Sequence, residues 1–407
     1  MDIKTKMAEG YKGLQGGLFS AVSKADVGTA VSALIEGGAM LMCWADPFYP
    51  DRVIPEHVLQ ATLGASSGSM ASHYTMPIGN PELKKEVAKK LKTSNGLEVD
   101  PERNIIITPG SDSGLLFAMM PFICPGDEVL VHDPGYPSNF INPGLLGGVA
   151  VSVPLHEVNN YQIDIEEYEK RLTSRTKMVL LTNPNNPTTT VFLRSGLEKL
   201  ADFIIRNDLI LLVDQAFEDA VYDDIEFVSM AALPGMWERT VSVFSVSKGM
   251  ALSGYRVGYV VADDKIMDVM YGCAVNVLGA TNTASQIGVI AAMRDRSFIK
   301  EYNQIFDMRR KYAYELFNSI PGVSMLLPES GFVSWLNISK LGTAEEISKY
   351  IIKHANVVVN EGTPYGKEGE GHIRIVHGCY RDDEKLYEGL NRIKASLTEL
   401  GKAKGLD

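Results

Sequence analysis

An α/β architecture, in which a three-layer large domain built on a mostly parallel mixed sheet carries a smaller α+β domain, is predicted by three observations on this 407-residue chain. Between about residues 104 and 260, short apolar runs alternate with amphipathic segments, as when parallel strands are joined by covering helices. After about residue 294 the alternation gives way to longer helical stretches with a few strands between them. The chain is also long enough for two cores, and its 45% apolar and 22% charged residues are those of an ordinary globular protein.

The large sheet draws on runs of strand length at 105–108, 128–132, 148–153, 178–182, 210–213, 241–244 and 258–261, rich in β-branched and aliphatic residues. Apolar residues at helical spacing mark 111–120 and 193–207 as helices between them. The second part reads as a helix at 298–320, a strand at 331–338, a helix at 344–354, strands at 357–359 and 372–376, and a terminal helix. The first 50 or so residues, with glycines at 10, 13, 16 and 17, read as an arm that crosses the surface and joins the smaller domain. The expected division is a large domain at 50–293 and a small domain formed by 1–49 and 294–407.

A formal charge of −11 with no basic patch argues against nucleic acid or an anionic membrane as a partner. Cys43, Cys124, Cys273 and Cys379 show no paired spacing, so neither a zinc cluster nor a disulfide framework is expected, and a reducing cytoplasm fits. The N-terminus lacks a signal-like apolar core, and no stretch reaches the ~20 apolar residues of a membrane helix. Small molecules are the expected partners.

Chemistry concentrates first in Ser245-Val246-Ser247-Lys248, followed by Gly254-Tyr255-Arg256-Val257-Gly258. A lysine just past a strand end, where α/β proteins hold ligands, can form an imine with an aldehyde. Hydroxyls at Ser245 and Ser247 and the planar fork of Arg256 suit a phosphate. The segment reads as a site for pyridoxal 5′-phosphate. Thr108-Pro109-Gly110-Ser111-Asp112-Ser113 follows a strand and opens a helix, so its free N–H groups favour an anion. A capped helix that binds nothing is the competing reading, and the Asp112 carboxylate would repel phosphate unless its side chain turns away.

Asp214 ends an apolar strand, where a buried carboxylate needs a partner. A protonated pyridine ring is one such partner, and a cap on the following helix is the alternative. Asn183-Pro184-Asn185-Asn186-Pro187-Thr188 forms a stiff extended loop that can aim the Asn186 amide at a phenolic oxygen. Arg374, inside the short strand 372–376, needs an anion, either a substrate carboxylate or an internal acid. Tyr136 can stack on a cofactor ring or simply pack.

In chain order from about Ala45 to Arg374, these residues resemble the class I/II aminotransferases, the fold-type I pyridoxal phosphate enzymes. The resemblance implies an aspartate aminotransferase-like fold, with Lys248 as the imine-forming lysine and Asp214 on the ring nitrogen. It implies Asn186 on the phenolic oxygen, Tyr136 stacked on the ring, and Gly110, Ser111, Asp112, Ser245 and Arg256 around the phosphate. Arg374, with Asn186 and the Trp44-Ala45 segment, would hold the substrate carboxylate. His73-Tyr74-Thr75 and Gly79-Asn80-Pro81 resemble the stretch whose tyrosine reaches the neighbouring subunit, which implies a homodimer with Tyr74 crossing the interface.

Three positions depart from the family pattern. Phe217 replaces a tyrosine, Thr189 a glycine, and Ala45-Asp46-Pro47 a Gly-x-Pro. The expected activity is ping-pong transfer of an amino group between an L-amino acid and a 2-oxo acid. A lyase, decarboxylase or racemase of the same fold is the alternative that Phe217 keeps open. A cofactor-sensing regulator is disfavoured for want of a DNA-binding module. Trp44, Phe48 and Tyr49 hint at an apolar or aromatic substrate side chain, or else pack between the domains.

Overall fold

The computed structural model describes residues 3–12, 14 and 37–406; positions 1, 2, 13 and 15–36 of the expected arm lie outside the described residues. Each apolar run of the first half became a strand of one seven-stranded sheet: β2 (Ile105–Thr108), β3 (Glu128–Asp133), β4 (Val149–Pro154), β5 (Thr176–Thr182), β6 (Ile210–Asp214), β7 (Thr240–Ser245) and β8 (Gly258–Ala262). Their order is β2-β8-β7-β6-β5-β3-β4. From β7 to β4 all neighbours run parallel, whereas β8 is antiparallel to both β7 and β2.

Period-two alternation sends successive side chains to opposite faces, and here both faces are dry. Leu130, Val179, Leu181, Leu211 and Val213 pack on one side with Tyr168, Leu197, Leu200 and Phe203, from the helices Ile165–Glu169 and Arg194–Arg206. Val129, Val131, Met178, Leu180 and Leu212 pack on the other with Leu115, Phe117, Ile266 and Met270, from the helices Ser111–Met119 and Asp264–Cys273. The result is three layers.

The second half forms the long helix Ser297–Asn318, β9 (Val333–Asn337), the helix Ala344–Ala355, β10 (Val357–Val358), β11 (Asn360–Glu361), β12 (His372–Val376) and the terminal helix Asp383–Ala403. Thr343 and Glu346 close a reciprocal capping box on the Ala344–Ala355 helix, which satisfies its first free N–H groups. The apolar run at 357–359 does not make one strand. Val357 and Val358 pair in parallel with β1 (Met40–Leu41), while Asn360 and Glu361 turn to pair antiparallel with β12. Residues 40–42 therefore lie against this second part, with Met42 N donating to Val358 O at 2.9 Å. The described start of the arm does not. A Cβ on Gly10 would come within 2.2 Å of Gly144 O, so the one-turn helix Glu9–Lys12 rests, backbone on backbone, against the helix Pro137–Leu145 beside the large sheet.

A buried ionic contact ties the helix Pro81–Lys90 to the loop after β6. Lys90 Nζ pairs with the Glu218 carboxylate and donates to Asn95 Oδ1 at 2.9 Å, while Asn95 Nδ2 donates to Glu218 Oε2 at 2.6 Å. The Lys90 and Glu218 side chains are 4% and 8% exposed, so each charge depends on the other. Lys90→Met is expected to cost about 3 kcal/mol in urea denaturation by stranding Glu218, whereas Lys90→Met combined with Glu218→Leu costs clearly less.

Candidate active site

The strand register brings the separate motifs to one edge of the large sheet. Thr182, the last residue of β5, lies opposite Asp214, and Asp214 lies opposite Val243 of β7. The chain reverses between β7 and β8, so Ser245 pairs with Gly258, and Thr108 at the end of β2 pairs with the same glycine. The loops carrying Asn186, Asp214, Lys248, Arg256 and Gly110 thus leave the sheet side by side.

Close backbone approach at this edge requires glycine. A Cβ on Gly258 would meet Ser111 N at 2.6 Å and the Gly110 carbonyl carbon at 2.7 Å. Gly110, at φ 84°, leads into the helix Ser111–Met119, and a Cβ there would lie 2.5 Å from Arg256 Nη2. The guanidinium is therefore seated on the start of a helix, whose N–H groups and dipole favour the same anion that the arginine does. Arg256 donates through Nη1 to Ser253 O at 3.0 Å, and Ser245 Oγ accepts from Ser247 N at 3.1 Å.

Lys248 Nζ donates to Ala45 O at 2.6 Å and lies 5.9 Å from the centre of the Phe217 ring. Arg374, fully buried, donates to Asn360 Oδ1 through Nε and Nη2 at 3.1 and 2.9 Å, to Asn186 Oδ1 at 3.0 Å and to Cys43 O at 3.1 Å. The acceptors in these contacts are neutral. The Tyr365 ring lies 4.9 Å from its guanidinium carbon. Asn360 and Tyr365 were not found from sequence: Asn360 is the cross-strand neighbour of Arg374, a pairing that no local pattern announces.

Tyr136 Oη donates to Asp112 Oδ2 at 3.4 Å, so the Asp112 side chain points toward the tyrosine loop. Trp44 is half-buried and edge-on to Tyr49 at 4.9 Å. Phe48 does not line the site. It is fully buried, stacks on Phe306 and meets Tyr302 edge-on, and the backbone at 48 is left-handed, φ 62°. Tyr74 is 94% exposed.

The sequence model of the family described as aminotransferase class I and II matches residues 40–393. The chain belongs to this family. An aspartate aminotransferase of Pyrococcus abyssi is 34% identical over 354 residues, covering 86% of this chain and 90% of the relative. An aromatic-amino-acid aminotransferase of Thermococcus litoralis is 33% identical with the same coverage. Among solved structures, an aromatic aminotransferase from Pyrococcus horikoshii superposes with a TM-score of 0.84 at 31% identity, over 91% of this chain and 99% of that one. The aspartate aminotransferase of Thermus thermophilus with maleate gives 0.85 at 26% identity, over 96% and 99%. The protein is an aminotransferase with the aspartate aminotransferase fold.

Two departures of this aminotransferase from the family pattern have visible consequences. Phe217 packs 5.5 Å from Phe332, and a Cβ on Gly331 would come 2.9 Å from its ring, so Lys248 lies near an aromatic ring that carries no hydroxyl. Thr189 stands at φ 65°, held by its N–H to Asn185 O at 3.0 Å and by Ser330 Oγ donating to its carbonyl at 2.8 Å. A β-branched residue is strained in that left-handed region, which explains the glycine usual there. Asp214 accepts from Ala216 N at 3.1 Å, but a turn and not a helix follows it, so it caps none. Burial nonetheless pushes its carboxyl up to about 7; the Ala216 N–H and Lys248 oppose the rise and the Asp112 carboxylate adds to it.

Thr189→Gly is expected to stabilise the aminotransferase by about 1 kcal/mol, read as a higher urea midpoint. Protein free of any bound ligand tests the Asp214 environment. Its native state holds the proton more tightly than the unfolded chain, so its contribution to stability is full below about pH 4 and is lost as pH rises through about 7. Asp214→Asn cannot ionise, and its Tm relative to the parent is expected to climb across that window; a pH-independent difference would contradict this.

Proposed function

We propose that this aminotransferase binds pyridoxal 5′-phosphate, the cofactor its family uses, at the sheet edge just described and transfers amino groups between L-amino acids and 2-oxo acids. The reading is carried by one observation: Lys248 and Arg374 reach the same short segment, at Ala45 O and Cys43 O, so the amine and the guanidinium face a common space. The donor set suits the cofactor. A desolvated carboxyl at Asp214 is an acceptor for a cationic ring N–H, and the glycine-walled start of the Ser111–Met119 helix, with Ser245, Ser247 and Arg256, is a cradle for its phosphate. When bound, the group supplies the aldehyde that carries the amino group and the cationic ring that draws electrons from the substrate α-carbon.

The chain's own residues do the rest. Arg374 takes the substrate α-carboxylate as a two-pronged donor by exchanging its contact with Cys43 O for a carboxylate oxygen, its fork braced by Asn360 and Tyr365. Fixing that carboxylate places the α-hydrogen within reach of Lys248, which takes the proton once its amine is released. Asn186 accepts from Arg374 through Oδ1, which leaves its N–H2 for the phenolic oxygen. Tyr136 covers the ring, and Phe217 gives no hydrogen bond to that oxygen.

Trp44 and Tyr49, next to the Cys43 carbonyl that Arg374 holds, favour a large apolar or aromatic donor, in keeping with the relative named for aromatic amino acids. The working unit is a homodimer with Tyr74 completing the neighbouring site, supported by the exposed Met70, Tyr74, Met76, Val275 and Val277. A division into domains at about 50 and 293 is supported by the pairing of Met40–Leu41 with Val357–Val358, and a cytoplasmic location by the four free cysteines. Every relative named above is an aminotransferase, so a lyase or decarboxylase outcome has no support.

Mixing the enzyme with phenylalanine or tyrosine alone is expected to release one equivalent of 2-oxo acid and then stop, the burst of a ping-pong enzyme. Release of ammonia or carbon dioxide instead would overturn the assignment. Lys248→Ala is expected to lose the visible absorption of the bound cofactor with the fold intact. Arg374→Ala is expected to weaken amino acids about 30-fold or more while barely affecting the corresponding amines; equal weakening would make the arginine structural.

A further inference from the structure

A carboxylate inside a phosphate cradle is an anomaly. Asp112 is the second residue of the helix Ser111–Met119, where a negative charge suits the helix dipole but opposes a bound phosphate. The side chain resolves the conflict by its direction. Asp112 Oδ2 accepts the Tyr136 hydroxyl at 3.4 Å, across to the loop that follows β3 and opens the helix Pro137–Leu145. The Asp112 charge also adds to the rise of the Asp214 carboxyl, which Lys248 opposes. The positive charge for an anion comes from elsewhere, from Arg256 seated against Gly110.

Tyr136 has its own reason to need a holder. It is the last residue before a helix that begins with Pro137, and its side chain caps no N–H of that helix. Its ring is half-buried on a loop, and its hydroxyl meets the Asp112 carboxylate. We propose that Asp112 is a positioning residue: its carboxylate anchors the Tyr136 hydroxyl, and so fixes the tilt of the aromatic ring over the cofactor's pyridine ring, and its side chain is no phosphate ligand. This rests on the cofactor reading above and assigns Asp112 a side-chain task in place of the N–H donor role expected from sequence.

The test uses enzyme resolved of its cofactor and titrated with pyridoxal 5′-phosphate, followed by visible absorption for affinity and by visible circular dichroism for the geometry around the bound ring. Asp112→Ala and Tyr136→Phe are each expected to raise Kd about five-fold and to change the dichroic band in the same direction. The double variant should be no worse than either single one, because both remove the same contact, and Asp112→Asn, which keeps an acceptor, should restore most of the loss. Additive losses, or Asp112→Ala binding more tightly than the parent as expected for relief of phosphate repulsion, would overturn the proposal. Tyr136→Phe keeps the ring and every backbone contact, so an unchanged Kd and dichroic band in that variant would overturn it even if Asp112→Ala failed to fold. A parent enzyme with no saturable visible band would refute the cofactor reading itself, and the proposal with it.

Discussion

A sheet whose strands are buried on both faces places its polar and charged groups chiefly at its ends, where the hydrogen-bond ladder stops. That constraint organises this molecule. Leu211, Leu212 and Val213 leave β6 no polar position until Asp214, and β5 is closed in the same way up to Thr182. Because β6 and β7 run parallel while β8 returns antiparallel, the reversal from Ser245 to Gly258 sets an amine, two hydroxyls and a guanidinium on the rim where the other strands deliver a carboxyl and an amide. The antiparallel pairing of β2 with β8 then adds a helix N-terminus to the same rim.

Electrostatics follows from this crowding. A carboxyl as buried as Asp214 resists ionisation, and an ionised form is favoured only when a cation is brought to it. Lys248 supplies a part of that from within the chain, and a cationic ring would supply the rest. The loop after Asp214 is meanwhile kept in place by charges below it. Glu218 is bound to Lys90 and Asn95, and the next residue, Asp219, pairs with Arg296 and lies where a side chain on Gly249 would be, 2.3 Å from its Cβ. Ion pairs so deeply placed add little net stability, but they tie the Asp214 loop to the backbone beside Lys248.

The positions that depart from the family pattern are local in cause. Thr189 keeps a backbone conformation meant for glycine because Asn185 and Ser330 hold the loop on both sides, so the strain is carried by the surrounding contacts. Phe217 keeps the ring of the tyrosine it replaces, and with it the packing against Phe332 and Gly331, while giving up the hydroxyl. Ala45 contributes its carbonyl to Lys248, a contact that a glycine at the same place could make equally well.

The sequence by itself determined the strands of the large sheet, two of the helices covering it and the residue types at the rim, because periodicity of burial and local turn chemistry are written in neighbouring residues. Gly110, Asp214, Lys248 and Arg374 were recognisable for that reason. Only the tertiary structure decided that 357–361 divides between two sheets, that Phe48 belongs to the core, that the Asp112 carboxylate turns to Tyr136, and that Asn360 and Tyr365 brace Arg374. Those outcomes depend on strand register and on contacts between segments far apart in the chain, and no local pattern of residues encodes a register.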